Sequence, residues 1–189
     1  MNRRAAIKNF VIVGTGLALI PSCAQKDSSK PSIALKNLPI TGTQEKMLAE
    51  LAETIIPTTA TSGSKALASH LFVMKMVDDC YDRQAREDFI NGMEKFEKYA
   101  KKKYKAPFTE LNPTQKTEMI ALMDYRDGIS GLIDTFQQDV PQEAQAFYSE
   151  VKKLTIQSFV TSKYFLMDVR NFKMAPGYYK GCVPVSKKA

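Results

Sequence analysis

The chain has 189 residues, 44% hydrophobic and 25% charged, a globular balance that excludes a wholly disordered polymer. Its 27 Lys and Arg against 20 Asp and Glu give +7, scattered along the chain, which does not point to nucleic-acid binding. One His and three Cys, with no CxxC, CxxCH or HExxH, leave little material for a zinc site, an iron–sulfur cluster or a c-type haem.

Residues 1–22 read as an export signal peptide. Arg3, Arg4 and Lys8 precede the apolar run Phe10–Ile20, and small residues follow. That run is about half the ~20 residues a membrane-spanning helix needs. Arg3-Arg4 with Ile7-Lys8 resembles a twin-arginine signal, which hands folded proteins to the export machinery. Ala6 stands where such signals usually carry Phe or Leu, so an ordinary signal for unfolded export is the competing reading. Ile20-Pro21-Ser22-Cys23 resembles a lipobox, in which the Cys23 thiol receives a lipid and becomes the new N-terminus. The expected location is the periplasm, with the protein held to the membrane by that lipid. A chain cut before Cys23 loses Arg3, Arg4 and Lys8, so +7 falls to +4 and nucleic acid recedes further as a partner. Gly14-Thr15-Gly16 lies inside the signal and lacks a third Gly, so it is no dinucleotide loop.

Residues 23–42 carry Lys26, Asp27, Ser28, Ser29, Pro31, Pro39 and Gly42 and are expected to be a flexible tether. Residues 43–189 form the expected helical domain. Met47, Leu48, Leu51, Ile55 and Ile56 share one helical face that ends at Pro57. Ser64 reads as the N-cap of a helix reaching Asp79, with Leu67, Leu71, Met74 and Val77 inside. Asp82 caps the next, whose apolar face is Phe89, Ile90, Met93 and Phe96 and whose end carries Lys101-Lys102-Lys103, suited to the helix dipole. Asn112-Pro113 starts another, with Met119, Ile120, Leu122 and Met123. Pro141 opens the last long helix, striped by Phe147, Val151, Leu154 and Ser158, and a short helical piece follows over Tyr164–Val169. No segment alternates as a strand does. The fold expected is all-α, with five to six amphipathic helices in one domain and an irregular aromatic tail from Pro176 to Pro184.

Few residues invite a chemical role. His70 lies among the apolar positions of the second helix with no evident nucleophile or carboxylate partner, so a hydrogen-bonded boundary histidine is expected. Asp78, Asp79 and Asp82 lack the alternating ligands and Gly of a calcium loop and read as a helix end followed by a cap. Cys80 and Cys182 are either two separate thiols or, as expected in an oxidising compartment, a disulfide closing a loop of about 100 residues. Tyr178 and Tyr179 are candidate anchors on a partner protein, because tyrosine gives large contact area with few rotors. The alternative is packing on the domain's own helices.

Several segments in this order resemble the gluconate 2-dehydrogenase subunit 3 family. They are the twin-arginine-like start, Glu53-Thr54-Ile55-Ile56-Pro57-Thr58, Asp79-Cys80-Tyr81, Leu154-Thr155-Ile156 with Phe159, Thr161 and Ser162, Pro176-Gly177-Tyr178, and Gly181-Cys182-Val183-Pro184. Ser62-Gly63-Ser64 stands where family members often show Pro-Gly-Ala. The resemblance implies a non-catalytic small subunit with no cofactor of its own. Its implied partner is a FAD-dependent dehydrogenase large subunit acting on a sugar or sugar acid, with a cytochrome c subunit or similar carrier taking the electrons. It also implies that this chain supplies the export signal for that flavoprotein. A stand-alone periplasmic lipoprotein that binds a sugar or envelope component is the alternative, and a cofactor-free enzyme is a third reading.

Overall fold

Three of the described helices begin where the sequence offers a side chain to their unpaired backbone N–H groups. In this computed structural model, which describes residues 30–124, 140–173, 175, 177, 181 and 182, Thr41 and Gln44 form a reciprocal capping box on α1 (Gly42–Ile55). After α2 (Ser69–Cys80), the Asp82 carboxylate accepts from Ala85 N at 2.8 Å and opens α3 (Arg83–Tyr104). A 3-10 turn (Phe108–Glu110) leads to α4 (Pro113–Met123), where Asn112 and Gln115 repeat the capping box and Pro113 sits in the first turn. Then come α5 (Gln142–Thr161) and a π-helical segment (Tyr164–Val169). Every secondary-structure element among the described residues is a helix, as the periodicity predicts.

Helix α5 is central and touches each of α1 to α4. It buries Ala144, Phe147, Tyr148, Val151, Leu154, Thr155 and Ser158, a stripe at three- and four-residue spacing. Side chains the size of Phe147 and Leu154 each contribute about 1.5–3 kcal/mol when fully buried. The heaviest packing is against α3. The Phe147 ring meets Phe89 at 5.0 Å and Phe96 at 5.6 Å, and Phe96 meets Phe108 at 5.1 Å. Gly92 makes this approach possible, because a Cβ there would lie 2.6 Å from Glu143 O and 2.7 Å from Phe147 Cβ.

Two expectations are corrected here. The first concerns the tether: residues 32–41 are docked. Leu38 and Ile40 are buried in the core, and Ile33 and Leu35 pack against it. The buried Asp78 carboxylate accepts from the backbone N–H groups of Lys36, Asn37 and Leu38, with Asn37 N at 2.6 Å. At the other end of this strap, Glu45 accepts from Ser32 N at 2.6 Å. The second concerns Ser64, which does not cap α2. Its N–H donates back to Ile56 O at 2.9 Å and its hydroxyl is buried, so the chain makes one further turn before the helix starts at Ser69. Residue Ala68, at φ 52°, closes that turn.

Candidate functional site

The charged side chains nearest the motifs serve the fold. Glu53 accepts from Thr58 N at 2.8 Å, Thr58 Oγ1 at 2.7 Å and Lys65 N at 2.7 Å, so one carboxylate holds both ends of the loop after α1. Burial pushes this carboxyl up, but the Thr58 and Lys65 hydrogen bonds outweigh it and leave it below its ordinary value. Gly63 lets the loop close, since a Cβ there would lie 2.4 Å from Thr58 N. Glu50 bridges Lys65 at 2.5 Å and Lys116 at 3.0 Å, tying that loop to α4.

The Asp79-Cys80-Tyr81 segment joins α2 to α5. The Tyr81 hydroxyl donates to Glu150, and Arg86 Nη1 donates to Tyr81 O at 2.6 Å. Burial and the neighbouring Glu150 carboxylate both push the Tyr81 hydroxyl far up, so it stays a donor at physiological pH. His70 Nε2 lies 3.8 Å from Glu45 Oε1, and burial, aided by Lys65, holds its pKa below the ordinary value despite Glu45. His70 lies at the core boundary as expected, but its buried Nδ1 has no hydrogen-bond partner among the described residues, so the hydrogen-bonded histidine expected from the sequence is corrected. The carboxylate facing it also accepts from Ser32, so these groups do not form a nucleophile–base pair. Among the described residues no group of three His, Cys, Asp or Glu is placed to hold a metal ion.

Cys80 and Cys182 are both exposed free thiols, so the expected bridge is not formed in this structure. Cys80 ends α2 at the surface, and no covalent link pins the tail to it. The expected signal residues Arg3, Arg4, Ile7 and Lys8, the lipidation residue Cys23 and the candidate anchors Tyr178 and Tyr179 lie outside the described residues.

Two surface features remain. A groove of about 480 Å³ runs between the strap and α3, with Pro39 and Ile90 among its lining residues. Its cations are already engaged: Arg83 pairs with Glu87 at 2.8 Å and Arg86 holds the Tyr81 carbonyl. With Glu94 also lining it, the groove has no bias toward an anion. The second is apolar. Ile156, Val160, Met167, Val169 and Phe172 are all exposed at the C-terminal end of α5 and on the segment that follows. Sequence reading passed over them, although Ile156 and Val160 fall off the buried Phe147–Val151–Leu154–Ser158 stripe and so announce an outward apolar face. None of the described helices is long and apolar enough to cross a membrane.

Comparison with known protein families finds a match. The family model described as gluconate 2-dehydrogenase subunit 3 matches residues 42–177, from the first residue of α1 past the π-helical segment. No curated protein and no solved structure matches the chain.

Proposed function

The chain belongs to the gluconate 2-dehydrogenase subunit 3 family, and on that premise we propose that it is the small, non-catalytic partner of a FAD-dependent sugar or sugar-acid dehydrogenase whose folding and twin-arginine export it supports. The observation that carries this reading is the family match, which spans the whole helical fold from Gly42 onward. Two further observations support it. Glu53 and Tyr81, which lie in the family-like motifs, are engaged in holding loops and helices together, Tyr81 through Glu150. The Arg3-Arg4 signal also suits a cargo that folds before it crosses the membrane. A flavoprotein that folds around FAD in the cytoplasm needs such a route, and a bound subunit supplies it in trans. FAD belongs to the partner, and a cytochrome c subunit is the proposed electron acceptor.

Lipidation of Cys23 would complete the arrangement. Only nine residue steps separate Cys23 from Ser32, where the docked strap begins. Covalent geometry limits that span to about 30 Å, so a lipid at Cys23 would keep the domain close to the membrane surface.

The test is co-expression of the dehydrogenase with and without this chain, followed by fractionation and an assay of dye reduction by the sugar acid. Active enzyme in the envelope fraction is expected only with the chain. Replacing Arg3 and Arg4 together by Lys is expected to hold both proteins in the cytoplasm, because the pathway reads the guanidinium pair and not charge alone. Active enzyme in the envelope without this chain would contradict the escort role.

A further inference from the structure

Between Ile156 and Phe172 the chain turns its apolar residues outward. Ile156 and Val160 stand one helical turn apart on α5, 42% and 40% exposed. Met167, Val169 and Phe172 follow at 53%, 44% and 53%. Solvent-facing apolar residues are ordinary when scattered singly, but here five fall within 17 consecutive residues, an apolar patch along the chain. The segment bearing them is held in place from behind. The Phe159 and Phe165 rings pair at 5.3 Å, Ser162 Oγ accepts from Phe165 N at 3.1 Å, and Phe172 N donates to Leu166 O at 2.7 Å. The Tyr164 hydroxyl accepts from Ser62 N at 3.2 Å and fastens the same segment to the loop after α1. The half-buried Phe159–Phe165 pair and these hydrogen bonds thus hold the backbone while the five apolar side chains stay exposed among the described residues, the form of a preorganised contact surface.

We propose that this patch is the surface on which the chain docks to its dehydrogenase subunit. The inference rests on the subunit reading above and adds the place of contact. A small subunit must bury about 800 Å² of its own surface to form a specific complex. The family match runs through residue 177 and so includes the whole patch. Among the described residues from Ile156 to Lys173 the exposed charges are Lys163, Arg170 and Lys173 against Asp168. The occupant is therefore a dehydrogenase surface with an apolar centre and an acidic rim, which would give the association a salt-dependent on-rate.

The experiment measures affinity between the purified dehydrogenase and three forms of this chain. They are the unmodified protein, Val160→Asp with Phe172→Ser, and the milder Met167→Ser with Phe172→Ser. Circular dichroism and thermal melting confirm that each is folded, and Arg83→Ala in the distant groove serves as the control. Both patch variants are expected to bind more weakly, the first by about 100-fold or more, with melting unchanged and the control at full affinity. Added salt is expected to slow association of the unmodified chain. Full affinity in both folded patch variants would overturn the assignment and leave the subunit reading standing. No complex with the unmodified chain would overturn both. Two other results would reassign the patch: self-association of this chain, or binding to anionic phospholipid vesicles, abolished by the patch changes while dehydrogenase affinity is kept.

Discussion

Asp78 is the buried charge on which the N-terminal strap depends. Burial alone would push its carboxyl up, but the N–H groups of Lys36, Asn37 and Leu38, with Lys75 nearby, hold it below the ordinary carboxylate value. A folded value below the unfolded one means that the carboxylate's contribution is complete above about pH 4 and is lost as pH falls through the folded value. Asp78→Asn keeps the shape and removes the charge. It is expected to cost about 2–4 kcal/mol near neutrality, and clearly less at about pH 3, in urea unfolding. An equal cost at both pH values would show that the carboxylate is not the anchor. His70 acts in the same direction over a higher window. Its lowered value makes the unfolded chain the better proton acceptor, so its contribution is present above pH 6.5 and lost below it. At this scale the sequence is legible where the chemistry is local. Asp82 and Asn112 are recognisable as caps because their partners lie three residues on. Asp78 reads as a plain helix end, because its partners lie about forty residues upstream and leave no periodic trace.

The helices follow from stripes that the sequence displays openly, and α5 is the clearest case. Phe147, Val151, Leu154 and Ser158 are all buried, as their spacing predicts. What spacing does not display is the closeness of α5 to α3, which rests on Gly92. Gly92→Ala would place a methyl within 2.7 Å of Phe147 Cβ and nearer still to Glu143 O, a backbone atom that yields little. Overpacking of this kind costs about 1–3 kcal/mol. The variant is expected to remain helical but melt earlier, and an unchanged melting temperature would mean that the two helices separate freely. The strap was hidden by its composition. Pro31, Pro39 and the surrounding polar residues suggest a linker, yet Ile33, Leu35, Leu38 and Ile40 place an apolar side chain inward at every second or third position. The start of α2 is hidden by Ser64, a good capping type whose hydroxyl is buried without a hydrogen-bond partner while its backbone N–H donates to Ile56 O.

As a whole molecule, the chain is a helical domain of a dehydrogenase-subunit family, and that membership implies a dehydrogenase partner. The family was legible in the order of short motifs, and the structure gives several of them a physical task. Glu53 and Thr58 close a loop, Tyr81 joins α2 to Glu150 of α5, and Ser162 supports the π-helical segment. The exposed patch was not legible as a site, because Met167, Val169 and Phe172 look like core residues until the fold leaves them outside. The central claim is that this protein works as a stable subunit of a flavin-containing dehydrogenase. Its most direct test is the solution mass and flavin content of the particle purified through a tag on this chain after co-expression with the dehydrogenase. The account predicts one species, with a mass equal to the two chains together and one FAD per dehydrogenase. Elution of this chain free of both dehydrogenase and flavin would contradict it.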